Sequence, residues 1–368
     1  MKFTGLLMIT FLAFHHSFAE VKQDSTIFFG EKSKNFISQH FEGNWFMGYR
    51  YSDYEPDPIN KFTLKRSYIT FRHKFNKTFD VRFTQDITLD TEGDDAGNVE
   101  TRLKYCYLNM NLQNFMFITD PYIKGGLVHR PWLDFEQKIN HYRVQGSMFL
   151  ERINMYNSAD FGVTFGGLFG GEIDETYQNR VRSSYPGRYG SFAIGIYNGG
   201  GYHALEFNDN KTVEARLTLR PFPDNFPGFQ VSYNMAYGKG NIESGPDFEL
   251  HSGFASYENQ HIVVTAQYYT GEGNSSGTFA DSEGNAYSNE GYSFFGEYRI
   301  PKTNFAVFGR YDKFLSGESM ADKDRYIGGL AYYFYKKNKF VIDVDYLDNK
   351  NEVIPDRTIF EAIVEIKF

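Results

Sequence analysis

The chain has 368 residues, with 38 Lys and Arg against 46 Asp and Glu, and its formal net charge of -8 gives no electrostatic reason to expect nucleic acid as a partner. A mean hydropathy of -0.50 is too polar for a bundle of transmembrane helices, each of which needs about 20 consecutive apolar residues. Aromatic residues make up 18% of the chain, with 28 Tyr and 38 Phe, which excludes a disordered polymer, and the single Cys excludes a disulfide framework or a Cys-rich metal site.

The first element reads as an export signal. Met1-Lys2 precedes an apolar run from Phe3 to Phe14, broken by Thr4, Gly5 and Thr10, and Ser17-Phe18-Ala19 then precedes Glu20. A positive start, an apolar centre and a small-x-small site form a secretory signal peptide, with cleavage expected after Ala19. The run is too short to span a bilayer as a helix. His15 and His16 leave with it, and residues 20–40 become a short periplasmic segment ahead of the first strand.

Residues 41–368 read as strands. Segments of roughly 8 to 12 residues alternate apolar with polar or small side chains between clusters of Gly, Asn, Asp and Pro, the pattern of half-buried strands. Val81, Phe83, Ile87 and Leu89 oppose Arg82, Thr84, Asp86 and Asp90. Val213, Ala215, Leu217 and Leu219 oppose Glu214, Arg216, Thr218 and Arg220. In the last segment the even positions from Thr358 to Phe368 include Phe360, Ala362, Val364 and Ile366, while Glu361, Glu365 and Lys367 share the other face. The same count places Cys106 on the charged face of its strand, without a partner Cys.

About sixteen such segments are present, and their connections alternate in length. Short links at 76–78, 257–260, 301–303 and 336–339 take turns with long polar ones at 52–60, 91–100, 131–157, 271–290, 314–324 and 348–357. Transmembrane barrels sort their loops this way, with short periplasmic turns and longer extracellular loops. A soluble sandwich has no reason to do so. Rings with an apolar body and a polar tip crowd the strand ends, at Tyr49, Tyr51, Tyr105, Tyr107, Tyr268, Tyr269, Tyr332, Tyr333, Phe334 and Tyr335, as expected of aromatic girdles at the membrane boundary. Closure removes sheet edges that lipid could not satisfy. The expectation is an all-β, transmembrane antiparallel β-barrel in the bacterial outer membrane.

The residues resemble the phosphate-selective porins O and P and their wider group of outer-membrane porins. Phe62-Thr63-Leu64-Lys65-Arg66-Ser67-Tyr68 followed by Val81-Arg82-Phe83 resembles that family's early basic strand pair. Gly126-Leu127-Val128-His129-Arg130-Pro131-Trp132, Leu150-Glu151-Arg152 and Asp160-Phe161-Gly162-Val163 resemble the stretch around its long third loop. Tyr197-Asn198-Gly199-Gly200-Gly201, with Lys211, Arg216 and Pro221 after it, resembles the strand end and strand that follow, and the terminal Phe368 resembles the signal read by outer-membrane assembly machinery. The resemblance implies a sixteen-stranded barrel, a homotrimer, and a third loop folded into the pore.

The water-facing positions carry similar numbers of basic and acidic side chains, and rings of one sign are what make a pore select an ion. A general diffusion pore for small hydrophilic solutes is therefore the expectation, with preference for phosphate or other anions resting on local clustering. The candidate pore-lining, anion-binding residues are Arg82, Arg102, Lys104, Arg130, Arg143, Arg152, Arg216 and Arg220. An Arg fork suits phosphate and carboxylate. The competing account pairs these charges with Asp86, Glu136 and Glu151 along a solvated wall.

Neither a Gly-x-Ser-x-Gly elbow nor a His-Glu-x-x-His pair occurs, and no enzyme activity or cofactor is expected. Asp90, Glu92, Asp94 and Asp95, and Asp281, Glu283, Asn285, Asn289 and Glu290, offer oxygen ligands of the kind calcium takes, but they read as exposed acidic loop tips. An adhesion barrel working through loops such as 271–290 is the alternative from a different class.

Overall fold

The computed structural model describes residues 39–54, 57–90, 96–317, 322–350 and 355–368. The expected signal peptide, most of the segment over 20–40 and Glu92, Asp94 and Asp95 of the first acidic loop lie outside the described residues. Sixteen strands follow one another: β1 Phe41–Ser52, β2 Ile59–Lys74, β3 Phe79–Leu89, β4 Val99–Asn111, β5 Ile118–His129, β6 Ala159–Phe169, β7 Gly190–Tyr197 and β8 Thr212–Leu219. The second half comprises β9 Phe229–Lys239, β10 Asp247–Glu258, β11 Ile262–Glu272, β12 Ser288–Arg299, β13 Phe305–Ser316, β14 Lys323–Tyr335, β15 Asn338–Asn349 and β16 Arg357–Lys367. Neighbours in sequence are neighbours in space, and β16 returns antiparallel to β1, from Asn44 opposite Lys367 to Tyr51 opposite Phe360, closing the barrel.

Alternation decides which face meets which solvent. Val231, Tyr233, Tyr237, Tyr268, Phe294, Tyr298, Val307, Ile342 and Phe360 are exposed on the outer surface. Their sequence neighbours Asn234, Gln267, Ser293, Glu297, Asp343 and Glu361 are buried on the inner face. An apolar outer band around a polar interior is the arrangement a barrel in lipid requires.

Two expectations are corrected. The register between β3 and β4 slips where Thr84 pairs with Tyr105 and Gln85 with Leu103, leaving Lys104 as an extra residue. Such a bulge reverses parity beyond it. Lys104 and Tyr105 are therefore both buried inside, and Cys106 is exposed on the outer face opposite the exposed Phe83. Tyr105, Tyr107 and Tyr269 are likewise buried within the barrel, and the hydroxyl of Tyr333 reaches the buried Glu297, so these four are not part of a girdle.

The longest described connection, residues 130–158 between β5 and β6, folds into the lumen. It contains helix α1, Pro131–Ile139, and one helical turn, α2, Phe149–Arg152. Pro131 opens α1, where its fixed φ and missing N–H cost nothing. Trp132, Leu133, Phe135, Val144, Met148, Phe149 and Leu150 are fully buried and join Phe248, Leu250, Phe254, Phe295 and Phe308 in one apolar cluster. The inner wall of β10 to β13 thus carries apolar side chains at the positions this segment covers. Three cations on the wall donate to its backbone carbonyls: Lys65 to Gln145 at 2.7 Å, Arg310 to Ser147 at 3.3 Å and Lys339 to His141 at 2.9 Å.

On the opposite rim, the short-link rule has an exception. Residues 170–189, between β6 and β7, contain helix α3, Glu175–Arg180, whose Asp174 cap accepts from the backbone N–H of Thr176 and Tyr177. Beyond α3 the segment turns inward, burying Arg182 and bringing the Tyr185 hydroxyl to the carboxylate of Asp134 on α1. The two segments flanking β6 therefore meet inside the barrel.

Candidate pore constriction

Strands β2 to β5 present a basic inner wall facing the folded-in segment. Arg82 lies 4.5 Å from the Tyr105 ring centroid and donates to Thr84, and its guanidinium is 3.0 Å from the His129 ring. Lys104 stands over Tyr202 at 4.7 Å and donates to Ser158 at 2.9 Å, tying the wall to the end of the segment. Arg102 pairs with Glu100 at 3.1 Å and stands 4.0 Å from Asp86, which also pairs with Arg66 at 3.1 Å. Lys124 packs over Tyr122 at 4.4 Å.

The Arg residues of the long connection go three ways. Arg143 pairs with Glu151 at 3.7 Å. Burial acts to raise the Glu151 pKa, but Arg143, Lys104 and Arg66 outweigh it and hold this carboxylate below its usual range. Arg152 turns to the far wall, donating to Gln145 at 2.7 Å and standing 3.9 Å from Asp345. Arg130 is fully buried between Asp160 and Glu214, at 2.8 Å from each. Glu136, on α1, is pushed up to about 7, chiefly by burial.

Arg216 and Arg220 sit beneath α1, towards the short-link rim. Arg216 donates to Thr218 at 2.6 Å and Ser191 at 3.0 Å, with its guanidinium 4.5 Å from the Phe135 centroid. Arg182 joins them, 3.2 Å from Glu258. Neither Arg216 nor Arg220 has a carboxylate partner among the described residues, and each keeps buried N–H groups without a hydrogen bond.

The geometry thus brings Arg82, Arg102 and Lys104 together on one wall, sets Arg216 and Arg220 in a second cluster, and disperses Arg130, Arg143 and Arg152. Sequence reasoning missed Arg66, Lys124, Arg182 and Tyr202. Arg66 was detectable, since it stands in the basic Lys65-Arg66 pair. Arg182 was not, because nothing marks 170–189 as a segment that enters the barrel.

Among the described residues, no group of three or more His, Cys, Asp or Glu could hold a metal ion. Asp281 spends its oxygens on its own turn, accepting from Glu283 N at 2.9 Å and Asn285 N at 2.8 Å, while Glu290 accepts from Tyr268 on the outer face at 2.6 Å.

No protein-family model matches the chain. No curated protein matches it either. Among solved structures it is similar to the anion-selective porin from Comamonas acidovorans, at 11% identity and a TM-score of 0.64, covering 89% of this chain and 98% of that one. OmpF of Salmonella typhi in complex with daunomycin is similar at 13% identity and a TM-score of 0.60, covering 89% and 97%. A loop-deletion mutant of OmpT, an outer membrane protein of Vibrio cholerae, is similar at 12% identity and a TM-score of 0.59, covering 89% and 98%. At these identities the likeness is one of fold. The chain has the closed, sixteen-strand fold of bacterial outer-membrane porins.

Proposed function

We propose that the protein is an outer-membrane porin that passes small hydrophilic solutes and ions down their gradients, without catalysis or cofactor, and with a weak preference for anions. The observation that carries the reading is the segment 130–158, anchored inside a closed barrel and faced by a basic wall on β2 to β5. Arg66, Arg82, Lys104 and Lys124 stand there with Asp86 among them, and Asp134 and Glu151 on the segment oppose them. Acidic partners offset part of the positive field, which argues for weak selectivity and against a dedicated phosphate channel. A homotrimer is the expected assembly, as in the trimer form of OmpT from Vibrio cholerae.

Purified protein in a planar lipid bilayer under a salt gradient tests this. Stepwise conductance with an anion-directed reversal potential, reduced in Lys104→Gln and Arg82→Gln, is expected. Folded protein that gives no steps overturns the channel reading. Block by phosphate far beyond that by chloride-matched controls would restore phosphate specificity.

A further inference from the structure

A cavity of about 260 Å³ lies between α2 and the barrel wall near the long-loop rim. Its apolar side is formed by Phe149, Phe279 and Phe314, each 6% exposed or less. Its polar side carries Arg152, Lys323, Arg325 and Arg357. The nearby carboxylates are already engaged. Asp312 accepts from Arg310 at 2.7 Å and from Ser293 at 2.6 Å, and Asp345 takes both branches of Arg325 at 2.6 and 2.8 Å. Arg357 makes no ion pair or hydrogen bond among the described residues, and Lys323 has only the Phe314 ring, 6.0 Å from its ammonium. The cavity therefore combines surplus positive charge with an aromatic floor.

Those two properties select a ligand. Inorganic phosphate would satisfy the cations and leave the phenyl rings unused. A neutral aromatic would do the reverse. A ring bearing one carboxylate uses both, since guanidinium and ammonium groups make charge-assisted hydrogen bonds with a carboxylate while the rings take its apolar body. The volume lies below the ~300–1,000 Å³ of pockets for larger ligands, which restricts the body to about one ring. We infer that this cavity is a binding station for small aromatic carboxylates, held by Arg357 and Lys323 over the Phe149, Phe279 and Phe314 floor.

The inference deepens the channel reading by naming a solute class, and binding can be measured whether or not current flows. Fluorine NMR of para-fluorobenzoate is titrated against the folded protein in detergent, with para-fluorobenzyl alcohol as the neutral control and inorganic phosphate as competitor. Heat-modifiable electrophoretic mobility checks the fold of every variant. Saturable broadening by the carboxylate is expected, weakened about tenfold in Arg357→Gln and again in Lys323→Gln, the loss of one charge-assisted bond each. The alcohol should not saturate and phosphate should not displace. Absence of saturable binding, equal binding in both variants, equal binding of the alcohol, or displacement by equimolar phosphate would each overturn the inference. Conductance without this binding would sink the station and leave the channel standing. Binding without conductance would do the opposite.

Discussion

The hydroxyl of Tyr142, halfway along the inward-folded segment, donates to Glu297 on β12 at 3.0 Å, and Tyr333 on β14 donates to the same oxygen at 2.9 Å. The Tyr142 ring stacks on Phe308 with centroids 4.0 Å apart. Tyr142 thus couples the segment directly to β12 and β13, through a charge-assisted hydrogen bond and a ring contact, and to β14 through the shared carboxylate. Tyr142→Phe keeps the ring and should lower stability by about 1.5–3 kcal/mol, with noisier open-channel current. Tyr142→Ala loses the ring contact as well and should cost about 3–5 kcal/mol. Urea midpoints and single-channel current variance check the order.

Arg130 sits with Asp160 and Glu214 in a fully desolvated group. Removing the cation leaves two buried carboxylates facing each other. Arg130→Met should destabilise the barrel by about 3–5 kcal/mol. The triple variant Arg130→Met, Asp160→Asn, Glu214→Gln should recover much of that loss, which urea titration of the pair would read directly.

The bulge at Lys104 makes a prediction about Cys106. An outer-face thiol in reconstituted protein should react with a lipid-soluble maleimide and resist a charged, membrane-impermeant one. The opposite pattern would return Cys106 to the lumen and remove the bulge.

Glu136 titrates at about 7 against an ordinary 4.5, because burial disfavours its charged form. The folded state therefore holds the proton more tightly than the unfolded chain, so stability is greater below pH 4.5 and falls as pH rises through 7. The loss is on the order of a few kcal/mol. Glu136→Gln should flatten that fall in denaturation series between acid and neutral pH. Current through wild-type channels should become less anion-selective above neutrality, and the variant's should not.

The period-two pattern of β8 and β16, with the alternation of loop lengths, was enough to read a barrel, because an uninterrupted ladder sends alternate residues outward and inward, even though Ile359 and Ile363 of β16 are apolar and face inward. The same arithmetic failed on β4. A single unpaired residue there reverses every side chain after it, and a bulge leaves no compositional mark beside ordinary alternation. Tyr269 was misread for a related reason. A Tyr at a strand end looks the same in sequence whether it faces headgroups or the folded-in segment, and only the partner, here Phe149 at 5.7 Å, distinguishes them. The basic residues Arg82, Arg102 and Lys104 were legible as neighbours because adjacent strands bring them together. The second cluster depended on Arg182, supplied by a connection whose inward course is fixed by tertiary contacts with Asp134 and Glu258.

On the proposed channel reading, that second cluster makes the barrel electrically lopsided. Arg182, Arg216 and Arg220 gather towards the short-link mouth, where Glu258 pairs with Arg182 alone. Mobile anions meet that cluster at one end and the different group of Arg152, Lys323, Arg325 and Arg357 at the other, so the two ends are not electrically equivalent. Oriented channels should therefore rectify, passing unequal currents at equal and opposite voltages, and the sense of that inequality gives the direction in which the protein inserted.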